Sequence, residues 1–188
     1  METRYLCGII RCGMKNEVYI QYYDSPCGEI VLASIDGKLC LCDWNEKPCA
    51  ERNKRRLQRV LNAEFKEEAT DVIRRTKTEL DEYFAAERTV FDIPLLMVGT
   101  DFQKQVWSAL LEIPYGKVRT YKAIAQEVGN LKGVRAVAQA IGANGIGILI
   151  PCHRVIGSNN TLTGFAGGLE AKRILLERER GGVLPFSD

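Results

Sequence analysis

Hydrophobic and polar residues alternate along the first third of the chain, and the alternation breaks at turn-forming pairs. Glu17 to Asp24 (EVYIQYYD) alternates and is rich in aromatics, which predicts a strand. Ser25-Pro26-Cys27-Gly28 reads as a turn, Glu29 to Ile35 (EIVLASI) as a second strand, and Asp36-Gly37 as a hairpin returning into a third strand, Lys38 to Trp44. The first 45 residues therefore predict an antiparallel meander. Ala50 to Glu68 is densely charged and predicts a solvated helix or a loop. Its run Arg52, Lys54, Arg55, Arg56 and Arg59 suits phosphate, but Glu64, Glu67 and Glu68 balance it, so a solvated face is the simpler reading. Asp71 to Ala86 carries Val72, Ile73, Leu80, Tyr83 and Phe84 as one apolar stripe and predicts a helix. Thr89 to Pro94 can add a strand, and residues 95–100 read as a link between two halves.

Beyond that link three further helices are predicted in succession. Thr100 with Gln103 forms a capping-box pair, opening a helix whose expected buried face is Phe102, Val106, Trp107, Leu110 and Leu111. Ile113-Pro114-Tyr115-Gly116 stops it. Thr120 caps a second helix, Tyr121 to Val128, ended by Gly129. A third helix, Val134 to Ala143, ends near Asn144-Gly145. Two short helices around a tight glycine-containing turn read as helix-turn-helix, whose second helix would bring Arg135, Ala136 and Gln139 to DNA. A last helix, Leu169 to Glu179, starts after Gly167-Gly168 with Ile174, Leu175 and Leu176 inward, and Gly181-Gly182 ends it.

Composition narrows the class. The chain of 188 residues is 46% hydrophobic and 27% charged, values of an ordinary soluble protein with core enough to fold unstapled. It holds no apolar run long enough to span a membrane, and Met1 to Cys7 lacks a signal-peptide layout, so a cytoplasmic location and no membrane partner are expected. From Thr100 onward there are eleven basic and seven acidic residues, against fifteen and seventeen before it, so the second half is mildly basic. Six of seven cysteines (Cys7, Cys12, Cys27, Cys40, Cys42 and Cys49) fall in the first 49 residues. In a reducing compartment they are expected as free thiols. Cys40 and Cys42, two apart in a strand, are expected on one side of it. With no CxxC pair and no nearby histidine, no metal site is expected.

The candidate chemistry lies in one stretch. The apolar run Ile146 to Ile150 reads as a buried strand ending at Pro151. It is followed by Cys152 and by His153, the only histidine in the chain. A thiol held near a histidine and Arg154 is a candidate for a lowered pKa and a nucleophilic role.

Pro151-Cys152-His153-Arg154-Val155 resembles the active-site signature of the O6-alkylguanine-DNA alkyltransferases, the methylated-DNA–protein-cysteine methyltransferase family. Phe102-Gln103 with Val106-Trp107, Ile113 to Gly116, Thr120-Tyr121, Arg135-Ala136-Val137, Asn144 and Gly167-Gly168-Leu169 resemble the family in order and spacing. The resemblance is strong from about 100 to 180 and looser around Ser25-Pro26. It implies an α/β (α+β) fold: a ribonuclease-H-like domain with antiparallel strands over residues 1–97, and a helical, winged-helix-like helix-turn-helix domain over 98–188. It also implies irreversible, single-turnover transfer of an alkyl group from O6-alkylguanine, with O4-alkylthymine as a further candidate, to Cys152, without metal or cofactor. The implied partner is double-stranded DNA bound through its minor groove by a monomer.

By the same resemblance, His153 takes the Cys152 proton through water, Glu179 orients the imidazole, and Asn144 holds the adjoining turn. Tyr121 crowds a phosphate and donates to guanine, and Arg135 replaces the flipped base. Ser158 contacts O6 through its backbone amide, while Ala136, Gln139, Arg154, Val155 and Phe165 complete the DNA and substrate surface. Phe165 departs from the family by replacing a Tyr hydroxyl donor found in some members, and Gly145 stands where Pro often follows Asn. The family's animal members hold an N-terminal zinc with Cys and His; with no second histidine, this chain is not expected to. A cysteine hydrolase would need a histidine distant in sequence. A bifunctional regulator would need a paired-ligand zinc module, and a plain transcription factor would leave Cys152, His153 and Glu179 without a task. A non-enzymatic alkylated-DNA lesion-binding protein is the remaining alternative, against which Cys152 argues.

Overall fold

A computed structural model describes residues 15–159 and 161–182; Cys7, Cys12 and the signal-peptide reading of Met1 to Cys7 lie outside them. The expected meander is present as β1 (Asn16–Ser25), β2 (Gly28–Ile35) and β3 (Lys38–Trp44), each antiparallel to the next. Asp36 and Gly37 both take positive φ, as a tight hairpin between β2 and β3 requires. The charged stretch that follows is α1 (Pro48–Leu61) and then a strand that sequence pattern missed, β4 (Ala63–Glu67), which pairs parallel to β1. The sheet order is β3-β2-β1-β4. β4 escapes notice because only Ala63 in it is buried and its charges face water.

Helix α1 is not the solvated face its charge suggested. Ala50 and Leu57 pack with Val18, Val31, Ala33 and Leu41 on one side of the sheet, and Asn53 is fully buried. Helix α2 (Asp71–Phe84), capped by Thr70, lays the expected stripe on the opposite side. Each such buried side chain contributes roughly 1.5–3 kcal/mol. Cys40 and Cys42 do not share a side, because the pairing slips between Ala33 and Ser34 and makes Cys40 the extra residue of a β-bulge. Cys40 accordingly packs on the α1 side and Cys42 on the α2 side.

Residues 89–94, expected to add a strand, form none. The backbone next to them pairs with the outer edge of β3 at one point, where Leu39 N–H donates to Pro94 O and Leu96 N–H to Leu39 O. Then come α3 (Asp101–Leu111), with both halves of the Thr100–Gln103 capping box formed, and α4 (Tyr121–Glu127), capped by the Thr120 hydroxyl. A 3-10 turn (Leu131–Gly133) leads into α5 (Val134–Gly142). Val106, Trp107 and Leu110 of α3 are buried, but Leu111, expected with them, is exposed. Two-residue strands β5 (Arg119–Thr120) and β6 (Val155–Ile156) pair in parallel, and α6 (Leu169–Glu179) closes the described chain with Leu175 and Leu176 buried. The apolar core on the α2 side continues unbroken into α3, α4, α5 and α6 and reaches Cys152.

Candidate active site

The apolar run before Cys152 is buried, as expected, but it is not a strand. Only Ile146 bridges the sheet, opposite Cys42 at the outer edge of β3, where Cys42 N–H donates to Gly145 O and Gly147 N–H to Cys42 O. The rest folds into tight turns, with Leu149 N–H donating to Gly147 O and Ile150 N–H to Ile146 O. Asn144 explains the departure. Its Oδ1 accepts from Ile146 N–H at 3.0 Å and its Nδ2 donates to Ile150 O at 3.0 Å, so a side chain supplies the partners a neighbouring strand would have offered. Ile148 is held at a φ of 67°, a conformation a β-branched residue adopts only under surrounding constraint. β3 and Asn144 supply that constraint.

Cys152 opens a buried 3-10 turn, Cys152–Arg154. Its Sγ accepts a hydrogen bond from Asn144 Nδ2 at 3.2 Å. The expectation of a lowered thiol pKa does not hold in this resting state. Burial pushes the thiol up to about 11, and the Asn144 amide offsets only part of it. Arg154 gives no help, because its guanidinium turns away toward Glu179.

His153 is fully buried. Its Nε2 meets Glu179 Oε1 at 2.7 Å, and its Nδ1 has no hydrogen-bond partner among the described residues. Glu179 collects a shell of donors. Oε1 also accepts from Tyr83 Oη at 2.9 Å and Arg154 Nη2 at 2.9 Å, while Oε2 accepts from Arg154 Nε at 2.8 Å and Gly116 N–H at 3.1 Å. Burial opposes its charge, but the His153 and Arg154 contacts outweigh that and hold the carboxyl down at about 2. Burial likewise lowers His153, with the Glu179 hydrogen bond pulling the other way. The imidazole therefore rests neutral, with Nε2 donating to the carboxylate and Nδ1 left as the basic atom.

A cavity of about 640 Å³ lies beside this group; neither Cys152 nor His153 is in its lining, but the lining residue Phe165 has its ring 6.5 Å from that of His153. Tyr121, Arg135, Ser158 and Phe165 of the expected residues line the cavity. Burial and then proximity to Cys152 raise the Tyr121 hydroxyl's pKa, so it remains a donor; it bonds Gly164 O at 3.3 Å. Ala136 and Gln139 are exposed on α5 outside the cavity. Two of the expected surface residues lie elsewhere. Arg154 is buried against Glu179 and Ile113 O, and Val155 is buried in β6 with its carbonyl accepting from Lys172 Nζ at 2.6 Å. Both side chains pack into the interior beside the site.

Sequence pattern did not assign five contributors to the site. Cys49 and Arg52, from α1, line the cavity although they belong to the other half of the chain. Arg52 and Arg56 also donate to Gly142 O and Ala143 O at the end of α5. Tyr83 reaches Glu179 from α2, and the fully buried Lys172 ties Val155 O to Thr163 O. The basic run holding Arg52 and Arg56 is the one local signal among them; the other three act across separations that only folding closes.

Residues 18–97 match the family model described as 6-O-methylguanine DNA methyltransferase, ribonuclease-like domain, and residues 101–181 match its DNA binding domain. A methylated-DNA–protein-cysteine methyltransferase of Haemophilus influenzae is 39% identical over 172 residues, covering 91% of this chain and 89% of that one. A constitutive one of Bacillus subtilis is 42% identical, covering 86% and 96%. The crystal structure of Mycobacterium tuberculosis O6-methylguanine methyltransferase superposes with a TM-score of 0.75 at 38% identity, covering 90% and 96%. Mycobacterium tuberculosis OGT in complex with DNA superposes at 0.74, also at 38% identity.

Proposed function

The chain belongs to the methylated-DNA–protein-cysteine methyltransferase family, and from that premise we propose that it repairs DNA by direct reversal, taking the alkyl group of O6-alkylguanine onto Cys152. The observation that carries the reading is the buried sequence of contacts Asn144–Cys152 and His153–Glu179, with a neutral imidazole whose Nδ1 is free among the described residues.

The chemistry follows from these groups. The sulfur attacks the alkyl carbon, an S–C bond forms, the C–O6 bond breaks, and the guanine leaves carrying the electron pair. The thiol proton passes to His153 Nδ1 through a bridging water, and the imidazolium that forms is stabilised by Glu179 on its other nitrogen. Asn144 Nδ2 donates to the developing thiolate. Tyr121 donates to the guanine ring as negative charge builds there, and the Ser158 backbone amide meets the leaving O6. A thioether does not hydrolyse in water, so each molecule acts once.

The cavity lies within the roughly 300–1,000 Å³ of small-ligand pockets, enough for a flipped base. Arg52, Lys122 and Arg135 at its lining supply positive charge for phosphates and for the gap left in the stack. The second helix of the helix-turn-helix, α5, presents Arg135, Ala136 and Gln139 to the minor groove, where small side chains allow close approach. The protein acts as a monomer, with a sheet domain over residues 1–97 and a DNA-binding domain over 98–188.

Intact-protein mass after mixing with a duplex carrying one O6-methylguanine tests the proposal. Wild type is expected to gain one methyl group, mapping to Cys152, and Cys152→Ala to gain none while still binding the duplex. Binding without mass gain in wild type would instead make the protein a lesion sensor.

A further inference from the structure

The relay carboxylate is shared between the two halves of the chain. Glu179 sits on α6, yet one of the three donors on its Oε1 comes from α2, on the sheet side of the molecule: Tyr83 Oη at 2.9 Å, 96 residues away in sequence. We propose that Tyr83 is a positioning residue for alkyl transfer, through which the sheet half of the chain sets the basicity of His153. The proposal deepens the reading above and rests on it for the role of His153.

The contact is built rather than incidental. Tyr83 is fully buried, and its ring is held on several sides, 5.3 Å from Phe84, 5.4 Å from Phe91 and 6.2 Å from Tyr115 between ring centroids. A hydroxyl on so fixed a ring has little freedom to choose another acceptor. Burial and the neighbouring Glu179 charge push its pKa well above the ordinary phenol value, so it stays protonated and always donates.

Donation to Oε1 has a direction of effect. The same oxygen accepts from His153 Nε2 at 2.7 Å, and a second donor withdraws electron density from it and fixes the carboxylate rotamer. A carboxylate with less charge on Oε1 stabilises imidazolium less, so Tyr83 keeps His153 neutral and ready to accept at Nδ1. The charged groups around His153 are Glu179 and Lys172 on α6 and Arg154 beside it, with Tyr83 approaching from α2 and the Phe165 ring 6.5 Å away. Arg154 and Lys172 both oppose a positive imidazole, and Tyr83 adds to them without adding charge.

Tyr83→Phe removes the hydroxyl and keeps the ring. Glu179 then retains Arg154, Gly116 N–H and His153, so no acceptor is stranded. The single histidine makes the test direct, because untagged protein gives one imidazole spectrum. In Tyr83→Phe the His153 Nε2 proton is expected to move downfield. The rising limb of the single-turnover methyl-transfer rate is expected to shift up by about half a pH unit, as loss of one modest hydrogen bond implies. Ile73→Val, fully buried on the same helix ten residues before Tyr83, serves as the packing control and is expected to lower the unfolding midpoint without moving either readout. An Nε2 resonance and a transfer profile both superimposable on wild type would overturn the proposal, as would equal shifts in Ile73→Val. Absence of transfer in wild type counts against the alkyltransferase reading alone, since the resonance reports the Tyr83–Glu179 link without any substrate.

Discussion

Asn144 Nδ2 stands 3.2 Å from Cys152 Sγ and 3.0 Å from Ile150 O, so one buried amide both folds the approach to the nucleophile and faces its sulfur. Replacement by Ala leaves Ile146 N–H unpaired in the interior, while Ile150 O keeps the Cys152 N–H. Asn144→Ala is expected to cost about 1–3 kcal/mol of stability for the group left unsatisfied and to slow transfer at least tenfold. Urea unfolding with single-turnover kinetics checks both. Asn144→Asp is expected to slow transfer further, because a negative charge beside the sulfur disfavours thiolate.

The buried thiol, at about 11, is expected to be sluggish until substrate arrives. In free protein at pH 7, iodoacetamide should label Cys152 on the order of a hundredfold more slowly than a small thiol of ordinary pKa. The rate should climb steadily as pH rises toward about 11. Peptide mapping of the labelled protein reads it. Fast labelling at pH 7 would show a thiolate already formed at rest.

Acid should destabilise the fold in two stages. The folded pKa of His153 lies below its unfolded value near 6.5, so stability that depends on the neutral ring starts to fall below about pH 6.5. Glu179 is held at about 2 against an unfolded value near 4.3, so its contribution is complete above about 4.3 and lost as pH drops toward 2. Glu179→Gln strands the buried Arg154 guanidinium and is expected to lose about 3–5 kcal/mol at pH 7. Its stability should then fall less between pH 4.3 and 2 than that of wild type, because the Glu179 share of the decline is gone. Urea midpoints across this range decide the matter.

Gly167 lies against the indole of Trp44, and a Cβ there would sit 2.5 Å from Trp44 Cδ2. Gly167→Ala is expected to cost about 1–3 kcal/mol and to slow transfer, because the displaced loop carries Phe165 and Ala166 into the cavity lining. Gly164→Ala, with nothing within 4 Å of its added Cβ, should leave stability within about 0.5 kcal/mol. Thermal unfolding of the pair, with transfer rates for Gly167→Ala, checks this.

Much of the fold was legible locally. The hairpin at Asp36-Gly37, the caps at Thr100 and Thr120 and the stripe on α2 each depend on residues within a few positions of one another, and all four are present. Where inference failed, a distant partner had intervened. The run Ile146 to Ile150 has strand composition but takes its hydrogen bonds from Asn144 and Cys42, and Cys40 changes side because β3 slips by one residue against β2. Charge concealed α1 as a packing element, since Ala50 and Leu57 are too few for a visible stripe among its arginines.

The sequence by itself determined the nucleophile and its neighbourhood: one thiol in the second half of the chain, one histidine beside it, and a motif order shared with a known family. Those are properties of residue identity and spacing, which survive without coordinates. Tertiary structure alone decided the electrostatics. Whether Cys152 is acidic or not depends on burial, which raises it, and on where Arg154 points, which is toward Glu179. Tyr83, Arg52 and Cys49 reach the site only because the core on the α2 side runs unbroken between the halves and the end of α1 packs over the cavity. Charge–charge and hydrogen-bond energies fall off within a few ångströms, so residues remote in sequence act on Cys152, His153 and Glu179 only once the fold has brought them there.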